Sequence, residues 1–222
     1  MTNPFVYLWY KFQNLIYPPK CVLCQKMLSN AETDLCTQCR ADAPYFKLST
    51  KKIPHVSDWT SLWYYKDRAR DSVLRYKFGR RRHYAKIYGR MLAMKVLTEL
   101  DTEIDLVTWV TPSFRRRLQK GFDHGCVLAM ATAKELDVPA CRTLTKSVHT
   151  ARQATIASAT QRRANLLGAF KPYKPERFQG KRVLLIDDIV TTGSTAGECA
   201  KTLKTCGAQA VYLVTVAATE RS

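Results

Sequence analysis

Two groups of residues have the types and spacing to do chemistry. The first is a set of four cysteines, Cys21, Cys24, Cys36 and Cys39, arranged as two Cys-x2-Cys pairs with eleven residues between them. Each pair offers two thiolates from one tight knuckle, and two knuckles close a tetrahedral metal site. Four thiolates leave no open coordination position, so the spacing predicts a structural zinc; an iron–sulfur cluster uses the same ligand type. Zinc would contribute about 10–16 kcal/mol to folding so small a module. The other four cysteines, Cys126, Cys141, Cys199 and Cys206, stand singly within apolar or helical patterns and read as small buried hydrophobes.

The second group follows the apolar run Val183-Leu184-Leu185-Ile186: two acids, Asp187 and Asp188, then Ile189-Val190 and the turn Thr191, Thr192, Gly193, Ser194, Thr195. A continuous apolar run of this kind suits a strand buried on both faces. Ligands of open α/β sheets sit at the C-terminal ends of strands, and a helix N-terminus suits a phosphate. Gly193 lets the backbone approach an anion closely, and the Thr and Ser hydroxyls add donors. Asp187 and Asp188 accept hydrogen bonds only, so they suit sugar hydroxyls; the alternative is direct metal binding by the pair. Together the residues predict a sugar-phosphate site.

The elements that must position these groups follow from periodicity. Phe5, Leu8, Trp9, Phe12, Leu15 and Ile16 share one helical face, and Pro18-Pro19 ends it. Residues 41–57 have no clear period and read as a linker. Trp59 to Tyr65, Leu106 to Val110, Val183 to Ile186 and Val211 to Val216 read as strands; Ile87 to Val96, Val127 to Leu136 and Thr195 to Cys206 read as helices. Strands alternating with helices predict a parallel sheet. The division expected is residues 1–45 as N-terminal helix and metal module, and 46–222 as the α/β domain.

The chain has 222 residues, enough for one substantial core and a small module. No stretch approaches the roughly 20 apolar residues of a membrane span, and Met1 to Tyr17 lacks a cationic leader and cleavage site, so a cytoplasmic protein is expected. The 36 Lys and Arg against 18 Asp and Glu give a formal charge of +18, which points to a polyanionic partner. The densest cationic stretch, Lys66 to Arg90, contains Arg75, Lys77, Arg80, Arg81 and Arg82 interleaved with Tyr76, Phe78, Tyr84 and Tyr88. Cations along a backbone with aromatics between them suit single-stranded DNA; the other reading is a core of aromatics under a solvated basic face.

These residues resemble a known family. Val183 to Thr195 looks like the phosphoribosyl-diphosphate motif of type I phosphoribosyltransferases. More narrowly, the chain resembles the ComF family of competence proteins. The resemblance is carried by the cysteine pairs after Tyr17-Pro18-Pro19, by Leu74-Arg75-Tyr76, Pro112 and its following arginines, and Gly121-Phe122. It continues through Gln153, Arg162-Arg163-Ala164-Asn165 and Gly168-Ala169-Phe170 to the final motif. It implies a type I phosphoribosyltransferase-like parallel sheet flanked by helices, with an N-terminal four-cysteine zinc module. It also implies that Asp187 and Asp188 bind the ribose 2′- and 3′-hydroxyls and that Thr191 to Thr195 cradle the 5′-phosphate. The loop of Thr111, Pro112, Ser113, Arg115 and Arg116 would approach the diphosphate, which carries Mg²⁺. If the protein turns over, diphosphate leaves ribose C1 as a nucleophile enters. The family's role is natural transformation, so phosphoribosyl diphosphate, single-stranded DNA and competence DNA-processing proteins are the partners implied. A non-catalytic DNA-binding factor using the site as a ligand sensor is the alternative. This chain has Lys120-Gly121-Phe122-Asp123-His124 where the family commonly has Arg-Gly-Phe-Asn-Gln, and Ala151-Arg152 where it commonly has two prolines.

Overall fold

The computed structural model describes residues 18–47, 51–79, 81–111, 123–146 and 168–220. The predicted face from Phe5 to Ile16, Arg80, the segment Pro112, Ser113, Arg115 and Arg116, and Gln153 with Arg162 to Asn165 lie outside the described residues.

A strand that is apolar at successive positions must be covered on both faces. Arg182–Val190 (β5) is that strand, placed inside a four-stranded sheet of order β1-β6-β5-β2. Its companions are Asp58–Tyr64 (β1), Leu106–Trp109 (β2) and Ala210–Ala218 (β6), and every pairing is parallel. A two-stranded antiparallel ribbon, Leu144–Lys146 (β3) with Phe170–Pro172 (β4), lies apart from the sheet. The helices are Thr37–Asp42 (α1), Asp67–Phe78 (α2), Tyr84–Glu99 (α3), His124–Leu136 (α4) and Ser194–Thr205 (α5). Among the described residues no helix is long and apolar enough to cross a membrane.

Alternation along β5 divides the interior in two. Leu184 and Ile186 join Val73, Tyr76, Tyr88, Leu92 and Leu128 under α2, α3 and α4. Val183 and Leu185 join Phe178, Cys199, Ala200 and Leu203 under α5. The chain therefore leaves β2 toward a helix on one face and leaves β5 toward a helix on the other. That places a topological switch point between the adjacent strands β2 and β5, where open sheets bind ligands. β2 pairs with β5 only as far as Trp109 opposite Ile186, whereas β6 follows β5 to Val190 opposite Ala218. Asp187 to Val190 thus project past the end of β2 and form one wall of a crevice.

Each strand and helix predicted within the described residues falls on an observed element, with ends displaced by a few residues. β5 continues through both acids because β6 still pairs with it there. The basic stretch contains two helices, α2 and α3, broken after Gly79. Residues 41–57 are not a free linker. Phe46 and Ile53 are buried, the Phe46 ring packs on Trp59 and Tyr64 at 5.0 and 5.2 Å, and Phe46 N–H donates to Leu62 O at 3.1 Å.

The helices α3 and α4 touch backbone to backbone at Gly89. A Cβ there would lie 2.7 Å from Ala131 Cβ and 2.8 Å from the Ala131 carbonyl carbon. Overpacking of this kind costs about 1–3 kcal/mol, more than the roughly 1 kcal/mol that alanine gains over glycine in a helix. Gly89→Ala should therefore lower the denaturant midpoint. An unchanged or raised midpoint would mean that the two helices are not in such close contact.

Candidate functional site

Asp187 and Asp188 are consecutive in a pleated strand, so they face opposite sides of the sheet. Asp187 turns to the side of α5, where the Cys199 thiol is raised by burial and then by the Asp187 charge. Asp188 turns to the side of α2, and its Oδ1 lies 2.8 Å from Lys77 Nζ. The Asp188 N–H donates to Asp187 Oδ1 at 2.8 Å. Burial first, and the neighbouring Asp188 carboxylate second, push Asp187 well above the usual carboxylate range, while the Asp188 N–H and Lys77 work the other way.

The turn beyond is built to stay in one shape. Thr192 Oγ1 and Ser194 Oγ share a hydrogen bond at 2.8 Å, and Ser194 N–H donates to Thr192 Oγ1 at 3.2 Å. Gly193 has φ 78°, a left-handed conformation that side chains rarely adopt, and a Cβ there would meet Ile53 at 3.0 Å. Gly193 is also the N-cap of α5 and brings no capping side chain, so the helix start presents backbone donors. Thr191 is exposed; its carbonyl accepts from Lys51 Nζ and from Thr219 Oγ1, each at 3.4 Å. Ser194 and Thr195 are half-buried at the first turn.

The supporting segment Lys51 to Pro54 had no sequence signal. Ile53 backs the glycine, Pro54 O stands 3.1 Å from where a Gly197 Cβ would be, and Lys51 O accepts from Trp59 Nε1 at 2.7 Å. Thr111 lies just beyond β2, across the crevice. It is buried, and its Oγ1 donates to Leu144 O at 2.9 Å, tying β2 to the ribbon. Of the two residues that depart from the family pattern here, Asp123 caps α4 by accepting from Cys126 N–H at 3.1 Å and also accepts from Trp109 Nε1 at 3.2 Å. His124 stacks edge-on against Tyr76 at 5.2 Å, and its carbonyl accepts from the Tyr76 hydroxyl at 2.6 Å.

Among the described residues of the basic stretch, two of the cations expected at a nucleic-acid face have partners within the protein. Arg75 donates to Val22 O at 3.2 Å and Leu23 O at 2.5 Å, and Lys77 belongs to Asp188. Tyr76, Tyr84 and Tyr88 are buried in one edge-to-face cluster, with rings 5.5 and 5.8 Å apart, because α2 and α3 pack this side against the sheet. Only Phe78 among the four aromatics is exposed, at 67%. Arg81 and Arg82 remain exposed between the two helices.

At the other end of α2 the four cysteine sulfurs, Cys21, Cys24, Cys36 and Cys39, lie within 4.8 Å of one another. Zn–S bonds of about 2.3 Å put tetrahedral sulfurs about 3.8 Å apart, so the donor set fits zinc. Amide and guanidinium groups support the thiolates: Cys39 N–H donates to Cys36 Sγ at 3.5 Å, and Arg68 Nη1 to Cys39 Sγ at 3.5 Å. Glu32 ties the loop between the knuckles by accepting from Ser29 N–H at 2.9 Å and Thr37 N–H at 2.5 Å, which draws its carboxyl down to about 2. The module docks through Arg90 on Asp34 at 2.5 Å, Ser72 Oγ on Val22 O at 2.6 Å and Gln25 Nε2 on the Tyr84 hydroxyl at 2.5 Å.

Comparison with known proteins agrees with both halves. The phosphoribosyl transferase domain family matches residues 123–222, and the double zinc ribbon domain family matches residues 12–49. The fold is the type I phosphoribosyltransferase fold joined to an N-terminal zinc ribbon, and the cysteine cluster with that match supports a structural zinc. The chain is 26% identical over 203 residues to competence protein F of Haemophilus influenzae, with 87% of each chain covered. It is 30% identical over 202 residues to the DNA utilization protein YhgH of Escherichia coli K12, again with 87% of each covered. It belongs to the ComF family, which these two proteins represent.

The zinc account has a direct check. Protein expressed with zinc supplied should contain about one zinc per chain by elemental analysis. Cys36→Ser with Cys39→Ser should remove it and abolish hydrogen-exchange protection across 21–39, since metal binding is folding energy for such modules. Retained protection in metal-free protein would show that the module folds on side-chain packing alone.

Proposed function

We propose that the crevice between β2 and β5 binds phosphoribosyl diphosphate and that the protein serves DNA uptake in the cytoplasm. The observation that carries this reading is the strand β5 itself. It delivers two adjacent carboxylates and then a hydroxyl-bearing turn at a helix N-terminus, beside a topological switch point. Asp187 and Asp188 accept from the ribose 2′- and 3′-hydroxyls. The amides and hydroxyls of Thr191, Thr192, Gly193, Ser194 and Thr195 hold the 5′-phosphate. Thr111, Pro112, Ser113, Arg115 and Arg116 are the residues that the family resemblance assigns to the diphosphate. Mg²⁺, when bound with the diphosphate, supplies positive charge to the leaving group. Transfer at ribose C1 is the reaction class that such a site serves, through a sugar with oxocarbenium character. The names of the relatives, competence protein F and DNA utilization protein, support a role in competence, and in this reading the site serves that role by transfer or by ligand sensing, alongside DNA-processing partners.

In Asp187→Asn with Asp188→Asn the acids keep their size and lose their charge. Each charged hydrogen bond is worth about 1.5–3 kcal/mol, so affinity for phosphoribosyl diphosphate with Mg²⁺ should fall by roughly 100-fold or more. Calorimetry measures this, with zinc content and circular dichroism as fold controls. Wild-type affinity in the double variant would place the ligand elsewhere.

Exposed Arg81 and Arg82 favour single-stranded DNA binding at the α2–α3 turn, separate from the ribose acids. Each phosphate contact contributes a log–log salt slope of about −0.7, so Arg81→Ala with Arg82→Ala should flatten the slope by about 1.4. Fluorescence anisotropy of a labelled oligonucleotide reads the slope, and an unchanged value would make this turn a solvated face.

A further inference from the structure

Lys77 stands second from the end of α2, and no part of the phosphate-binding motif requires it. It nevertheless makes the one ion pair given to either acid among the described residues. We infer that Lys77 is a positioning residue for the ribose site: it fixes the Asp188 carboxylate and supplies the counter-charge that lets two adjacent acids stand together at the strand end. The inference rests on the ribose reading of those acids.

Three observations carry it. The first is geometry. Lys77 Nζ is 2.8 Å from Asp188 Oδ1, with 23% and 21% of the two side chains exposed, so the pair is largely withdrawn from water. A carboxylate has about four acceptor positions, and one bond from Lys77 leaves room for sugar hydroxyls. The second is the fixing of α2. Ser72 Oγ bonds Val22 O, Arg75 bonds Val22 O and Leu23 O, and the Tyr76 hydroxyl bonds His124 O. Ala69, Val73 and Tyr76 are wholly buried, so the helix presents Lys77 from a fixed backbone. The third is the local charge. Asp187 is faced by Asp188 on its own strand and Cys199 on α5, while Tyr76 and Lys77 of α2 lie on the Asp188 side; Lys146 of β3 lies toward Cys199. The Lys77 charge acts on Asp187 and favours its ionised form.

The sign of the pH effect follows. Asp187 is held above the normal range, and its ionised form is the stronger acceptor for a sugar hydroxyl. Affinity for the sugar should therefore rise as pH increases through its titration. Removing Lys77 moves that titration to higher pH, so the loss of affinity is largest near neutrality and shrinks in alkali.

The test uses the full chain and four variants: Lys77→Met, Lys77→Arg, Asp188→Asn, and Lys77→Met with Asp188→Asn. Calorimetry with phosphoribosyl diphosphate and Mg²⁺ is run across pH, and Asp187 is titrated by carboxyl NMR without ligand. Zinc content and thermal melts show that each variant is folded. Lys77→Met should weaken binding about tenfold near pH 7, the equivalent of about one pKa unit, and move the Asp187 titration upward. Lys77→Arg should restore most of the affinity. In the Asp188→Asn background Lys77→Met should cost little more. Wild-type affinity and titration in Lys77→Met overturn the inference and leave the ribose reading standing. An equal loss in both backgrounds also overturns it, because Lys77 would then contact the ligand itself. If the wild type binds no phosphoribosyl diphosphate, the ribose reading fails. The ligand-free Asp187 titration then decides on Lys77: an upward shift in Lys77→Met upholds it, and no shift overturns it.

Discussion

Two carboxylates set side by side in an interior strand impose the main physical demand on this structure. Like charges so close repel, and burial adds a cost for a charge that is not compensated. Burial first and the Asp188 carboxylate second hold Asp187 well above the ordinary range. The compensation comes from α2, through Lys77 on Asp188. That helix is in turn fastened at Ser72 and Arg75 to the carbonyls of Val22 and Leu23, between the first two cysteines. The zinc ribbon thus sits on the same helix that ends at the acids. The two halves of the chain are joined through this helix.

The sheet supplies the rest of the site by where its strands stop. β2 ends opposite Ile186, and β5 runs on for four residues with β6 alone beside it. The overhang puts the acids and the Thr191 to Thr195 turn at the crevice that opens where the chain changes faces. The turn is held from behind by Ile53 and Pro54 and bonded at Thr191 O by Lys51. A phosphate-binding turn needs this backing, because donors aimed at an anion help only if they do not have to reorganise as it binds.

The legible parts of this protein were those with a local sequence signature. Four consecutive apolar residues before two acids cannot be an exposed segment, and a glycine among hydroxyl residues marks a tight approach. The cysteine spacing was equally local. What stayed hidden was set by partners distant in sequence. Arg75 reads as a surface cation, but its partners are backbone carbonyls, which leave no trace in the amino-acid types around them. Lys77 reads as one more positive charge in a basic run until the fold sets it against Asp188. Tyr76, Tyr84 and Tyr88 fit both a stacking platform and a core, and packing of α2 and α3 on the sheet decided for the core. Phe46 and Ile53 are buried without any periodicity, since each fills a single gap and not a repeating face.

The central claim is that the β5–α5 turn and its acids form the ligand site, with α2 as its support. Amide chemical shifts followed during addition of phosphoribosyl diphosphate and Mg²⁺ test this most directly. The account predicts the largest changes at Asp187 to Thr195, smaller ones at Lys77 and Lys51, and none within Cys21 to Cys39. Changes confined to Arg81 and Arg82 or to the zinc ribbon, with Asp187 to Thr195 unmoved, would contradict it.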